Sequence, residues 1–126
     1  MKKIAAEPLA EGWKTMIVVN LESGMPTVGR AMIQLRQTLL TAKSRRTDVI
    51  KLIHGYGSTG RGGAIRSAVR RELNLRAEAG EIRCYICGED FSPFDESSRW
   101  AIARYPYLCR DQDYARINHG ITIVVL

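Results

Sequence analysis

Long apolar runs are missing from this 126-residue chain, and no stretch approaches the roughly 20 apolar residues that cross a bilayer. Glu7 and Glu11 interrupt the N-terminal stretch, so a secretory leader does not fit, and a cytoplasmic protein with no membrane partner is expected. Cysteine is scarce. Cys84, Cys87 and Cys109 make an odd number without a secretory context, which leaves reduced thiols as the default. Histidine is scarcer still, with His54 and His119 alone. Zinc would have to draw on Cys84, Cys87, Cys109 and His119, which include no second close-spaced ligand pair. Cys84 and Cys87 also fall on an expected strand, where residues i and i+3 point to opposite faces. Buried structural thiols are expected instead of zinc. A redox role is disfavoured as well, because a reactive C-x-x-C usually opens a helix. No cofactor is required by the sequence, although a divalent metal is compatible with it. Internal repeats and low-complexity tracts are absent.

What is present is arginine. The net charge is +6, and of the nineteen cationic residues fourteen are Arg, whose planar fork suits bidentate phosphate contacts. The surplus is uneven. Residues 88–118 hold four Arg (Arg99, Arg104, Arg110, Arg116) against six carboxylates, and the rest of the chain carries fifteen cations against seven acids. A basic surplus outside an acidic segment suggests a polyanionic partner. With 45% hydrophobic and 25% charged residues, the chain reads as one globular domain with one core.

Residues 1–14 read as a polar N-terminal arm. Apolar runs at Thr15–Leu21, Asp48–His54 and Ile121–Leu126, with alternation over Glu81–Cys87, predict four strands. Val28, Met32, Leu35, Leu39 and Ala42 share one face of a first helix, with Pro26 expected in its first turn. A second helix is expected from about Ala64 to Ala79, with Ile65, Val69 and Leu73 inward and Gly80 as its stop. An extra helix is expected over Ser92–Tyr105, started by Ser92 and Pro93 and stopped before Pro106. The order β-α-β-α-β-(helix and loop)-β predicts a two-layer α/β sandwich. Right-handed crossovers put both main helices on one face of a mostly parallel sheet.

The segment "LIHGYGSTGRGGAIRSAVRRE" (residues 52–72) holds the chemistry. Gly55, Gly57 and Gly60 spell G-x-G-x-x-G between a strand and a helix. No glycine is followed by Lys-Ser or Lys-Thr, which excludes a Walker loop. A dinucleotide fold is disfavoured because the loop follows the second strand and no ribose-binding acid stands at the usual distance. What remains is a glycine loop whose N–H groups approach a phosphate at a helix N-terminus. Arg61, Arg66, Arg70 and Arg71 follow it as candidate phosphate ligands.

"LIHGYG" followed by "AIRSAV", after a strand–helix unit and before the terminal "GITIVVL", resembles the small MutS-related (Smr) domain family. The resemblance covers about residues 16–87 and 120–126, with His54, Gly55 and Gly57 matching the family's His-Gly-x-Gly motif. It implies a β-α-β-α-β-β mixed four-stranded sheet, a domain over residues 15–126 with 88–118 as an insertion, and a DNA or RNA partner. It also implies a nicking endonuclease activity in some members. Three departures stand out. Asn20 and Glu22 replace the acid and histidine of the family's first-strand motif, "STGRGG" lengthens the glycine loop, and the insertion precedes the last strand.

The ends of the first two strands share an edge of the sheet, so Glu22 and His54 are candidates for a catalytic carboxylate–imidazole pair. Asn20 is a candidate hydrogen-bond donor to phosphate. The expected function is nucleic-acid binding, with cleavage as its enzymatic extension. The alternative is a non-catalytic module that docks a protein through the acidic, aromatic insertion, and nucleotide binding ranks third.

Overall fold

The computed structural model describes residues 16–56 and 61–126. The expected arm, Thr15 and the loop residues 57–60, including Gly57, lie outside the described residues. Four strands and three α-helices follow in the order β1 (Met16–Asn20), α1 (Val28–Ser44), β2 (Val49–Ile53), α2 (Arg61–Glu78), β3 (Cys84–Cys87), α3 (Glu96–Arg104) and β4 (Ile121–Val125). Short 3-10 turns at Gly88–Asp90 and Pro106–Arg110 flank α3. None of the described helices is long and apolar enough to cross a membrane.

The sheet runs β1-β2-β4-β3. Only β1 and β2 pair in parallel, and β4 lies antiparallel to both β2 and β3. The sheet is therefore mixed, as the resemblance implies, and the mostly parallel sheet inferred from element order is corrected. Two consecutive β-α units suggest parallel strands. The long return through residues 88–118 lets the last strand enter the middle of the sheet from the opposite direction.

The helices begin and end for local reasons. Thr27 caps α1, its hydroxyl accepting from the Arg30 N–H at 3.2 Å, so Pro26 precedes the cap and does not enter the first turn. Helix α2 starts at Arg61, three residues earlier than expected, and stops at Gly80, whose φ of +76° permits the turn. The Glu81 N–H still bonds the Arg76 carbonyl at 2.8 Å, which keeps Glu81 out of the third strand and shortens it to four residues. Asp95, and not Ser92 and Pro93, caps α3 by accepting from the Ser98 N–H at 2.9 Å. The extra helix is accordingly shorter than the sequence suggests.

Two apolar layers sandwich the sheet. On one face, Ala31, Leu35 and Leu39 of α1 and Ile65, Val69 and Leu73 of α2 pack on Ile50, Leu52 and Val124. Both main helices thus share one face, as expected. On the other, Phe91, Ala101, Tyr105 and Leu108 of the insertion pack on Val49, Ile86, Ile121, Ile123 and Val125. The insertion covers the second face, which explains why every residue of β4 is buried. It is fastened by an ion cluster. Lys51, buried on β2, donates to Asp111 at 2.9 Å and also pairs with Asp113.

Candidate functional site

The C-terminal ends of β1, β2 and β3 and the start of β4 meet at one edge of the sheet, where α2 begins. His54 follows β2 there, fully buried between the sheet and α2. Its Nδ1 stands 2.7 Å from the Gly55 carbonyl and its Nε2 2.8 Å from Thr122 Oγ1. A carbonyl can only accept, so Nδ1 carries the proton and Nε2 accepts from the Thr122 hydroxyl. Thr122 in turn accepts from Arg70 Nε at 3.1 Å. The remaining donors of Arg70 grip Glu89 at 2.8 and 2.9 Å and the Ile121 carbonyl at 3.0 Å. A continuous chain, Glu89–Arg70–Thr122–His54–Gly55, therefore ties the ends of β2, β3 and β4 to α2.

This chain corrects two expectations. The His54–Glu22 pair is not formed, because both ring nitrogens of His54 are taken by Gly55 and Thr122. Arg70 is not a surface phosphate ligand either, since its guanidinium faces inward and is neutralised by Glu89. Sequence inspection missed Thr122 and Glu89. The signal was available in Thr122, a lone polar residue in the apolar run "ITIVVL", which burial obliges to find partners.

Burial opposes charge on His54, and the Arg70 and Arg66 cations add to that effect. Together they outweigh the Gly55 carbonyl and Glu89, lowering the imidazole from its usual 6.5 to about 4. The folded protein therefore holds fewer protons than the unfolded chain between those values. The stabilisation is complete above pH 6.5 and is lost as the pH falls toward 4. It amounts to about 3 kcal/mol across that window. Urea denaturation at pH 7.5, 6 and 5 should reveal the decline before the carboxylates titrate. A flat profile over that range would contradict the assignment.

Glu22 is exposed, and its carboxylate rests against the α-carbon of Gly55, where an added Cβ would come within 2.3 Å of Oε2. Gly55 holds φ at +74°, which strains any side chain there, whereas the Glu22 carboxylate is the end of a flexible exposed side chain and could swing aside. Asn20 ends β1 and accepts from the Glu22 N–H at 2.9 Å, which leaves its amide NH₂ as the unspent donor among the described residues. Arg66 is half-buried and Arg71 exposed, and neither has a carboxylate partner among the described residues. Arg61 opens α2, with its side chain outside the described part. Glu72 pairs with Arg36 and Arg76 instead of balancing the α2 arginines near the loop. Neither α1 nor α2 carries an acid in its first turn.

The three thiols are free. Cys84 and Cys87 are half-buried and Cys109 is exposed, so the expectation of buried structural thiols holds only in part. Burial pushes Cys84 up to about 11 and also raises Cys87, which makes both poor nucleophiles. Among the described residues no group of His, Cys, Asp or Glu is placed to hold a metal ion. No family model matches the chain, and no curated protein or solved structure matches it either.

Proposed function

We propose that this protein is a nucleic-acid-binding domain of the Smr-like kind, gripping phosphates of DNA or RNA at the edge where α2 begins. The observation that carries this reading is the opening of α2. It follows the glycine segment directly and has no acid in its first turn, while Arg66 in its second turn and Arg71 in its third are free of carboxylates among the described residues. Backbone N–H groups and the helix dipole favour an anion there. His54, Thr122 and Arg70 support the site by fixing Gly55 and do not themselves touch the ligand. Asn20 adds a donor beside it.

Cleavage is a separate component of the proposal. With its ring neutral and both nitrogens engaged, His54 has no free proton acceptor. Hydrolysis would therefore fall to Glu22, the exposed carboxylate beside Gly55, acting as base or as ligand to a divalent ion. Absence of cutting on DNA and RNA, with and without divalent metal, would remove this component and leave binding intact.

Binding is tested by titrating labelled DNA and RNA at several salt concentrations. Arg66→Ala with Arg71→Ala should weaken binding to both and flatten the salt slope by about two charges' worth. Salt-independent or absent binding would overturn the reading. It would favour the rival in which the insertion docks a protein. That rival draws support from Phe94, which is 90% exposed, and from Trp100 beside a cleft of about 460 Å³. Its weakness is electrostatic, because Glu89, Asp111 and Asp113 spend their charge on Arg70 and Lys51 inside the fold.

A further inference from the structure

We infer that Tyr56 is a base-stacking platform and that the preferred ligand of this edge is a single-stranded nucleic acid. This rests on the phosphate-binding reading above and deepens it. Tyr56 directly follows Gly55, and its side chain remains 58% exposed. Of the aromatic residues of the insertion, Phe94 and Trp100 are exposed just before and on α3, and the others are taken up by packing. Phe91 and Tyr105 are buried, and Tyr114 meets Phe91 edge-on at 5.1 Å between centroids. Tyr56 is the aromatic ring that the fold leaves open on the cationic edge.

Its position is held from below. The His54 and Gly55 N–H groups both donate to the Gly120 carbonyl, at 2.9 and 3.1 Å, and lock the two glycines together. A Cβ on Gly120 would stand 3.2 Å from Tyr56 Cδ1, so the ring rests where Gly120 has no side chain. The loop that presents Gly120 keeps costly backbone. Ala115 and Ile117 sit at φ of 62° and 55°, the latter a β-branched residue in the left-handed region. Asn118 closes that loop by accepting from the Gly120 N–H at 2.8 Å and donating to Asp113 at 2.9 Å. Asn118 Oδ1 and the Tyr56 ring both come within 3.2 Å of where a Gly120 Cβ would stand, and the Arg66 cation acts on His54, two residues before the ring. An aromatic ring among phosphate ligands and hydrogen-bonding groups suits an unpaired base, whose face stacks while its backbone reaches the cations. A paired duplex hides its base faces and gains nothing from the ring.

The test uses the full chain with a labelled 12-nucleotide DNA strand, the same sequence as RNA, and the corresponding DNA duplex. At fixed salt, either single strand should bind about tenfold tighter than the duplex. Tyr56→Ala should abolish that margin, leaving duplex affinity and the salt slope unchanged, and Tyr56→Trp should keep or widen it. Tyr56 is exposed and makes no hydrogen bond among the described residues, so these variants should fold as the wild type does. Equal affinity of wild type and Tyr56→Ala for both single strands would overturn the stacking inference, while the Arg66/Arg71 dependence would still uphold phosphate binding. Failure of all three oligonucleotides to bind would overturn both. Comparison of the two single strands identifies which sugar the site prefers.

Discussion

Replacing Lys51 with Met should cost about 3–5 kcal/mol of folding stability, measured by urea denaturation at pH 7. Lys51 sits in the middle of β2, opposite Val18 and Ile123, with its ammonium buried beneath the insertion. Burial alone would lower its pKa, but hydrogen bonds to Asp113 and Asp111 outweigh that and raise it, so the side chain is charged. Asp113 is likewise held below its ordinary 3.8. Burial pushes it up, and the bonds from Asn118 and Lys51 prevail. Removing the cation leaves two carboxylates facing each other against the sheet. The combined variant Lys51→Met, Asp111→Asn, Asp113→Asn should recover much of the loss, because no charge is then left unpaired. The pH dependence should also change. In the wild type, the Asp113 contribution is present above 3.8 and fades as the pH falls through the lowered native value. In Lys51→Met, falling pH should instead relieve repulsion and restore stability. A loss under about 1 kcal/mol would show that the insertion is held by its apolar contacts alone.

The same lysine shows where the sequence was legible and where it was not. The strand "VIKLI" is plain from its β-branched residues, and its place beside β1 follows from the β-α-β order. Its single charge faces a pair of aspartates 60 and 62 positions later, and only the folded insertion brings them together. The charge asymmetry of residues 88–118 was visible as composition, but its purpose was not. Three of its six acids neutralise Lys51 and Arg70 instead of repelling or attracting a partner. The helix stripes were legible because period and burial agree: Leu35 and Leu39 in α1, and Ile65, Val69 and Leu73 in α2, are all buried as spaced. Arg66 and Arg70 lie one turn apart on one helix face, and spacing cannot say which reaches solvent and which reaches Glu89. The role of His54 was hidden for a related reason. A histidine at the end of a strand looks available until the neighbouring strand, 68 positions on, supplies Thr122.

Arg70→Met should cost about 3–5 kcal/mol as well, and its signature distinguishes a structural arginine from a binding one. Arg70 reaches Thr122, Glu89 and the Ile121 carbonyl through four bonds of 2.8 to 3.1 Å. Its loss leaves Glu89 without its bidentate partner and frees the Thr122 oxygen that it had oriented. Arg70→Lys should fare only modestly better, because an ammonium keeps the charge but cannot reproduce the fork. Once corrected for the unfolded fraction, the salt slope of nucleic-acid binding should be unchanged in either variant, unlike the Arg66/Arg71 pair. His54 provides a second, independent readout. Burial is the main cause of its depressed basicity and Arg70 the leading cationic one, so Arg70→Met should raise it from about 4 toward 6.5. An NMR titration of the His54 ring would follow that shift directly in the fraction that remains folded. If the ring titrates unchanged while binding loses a charge's worth of salt dependence, Arg70 faces the phosphate after all. The buried chain from Glu89 to Gly55 would then not be the scaffold of this edge.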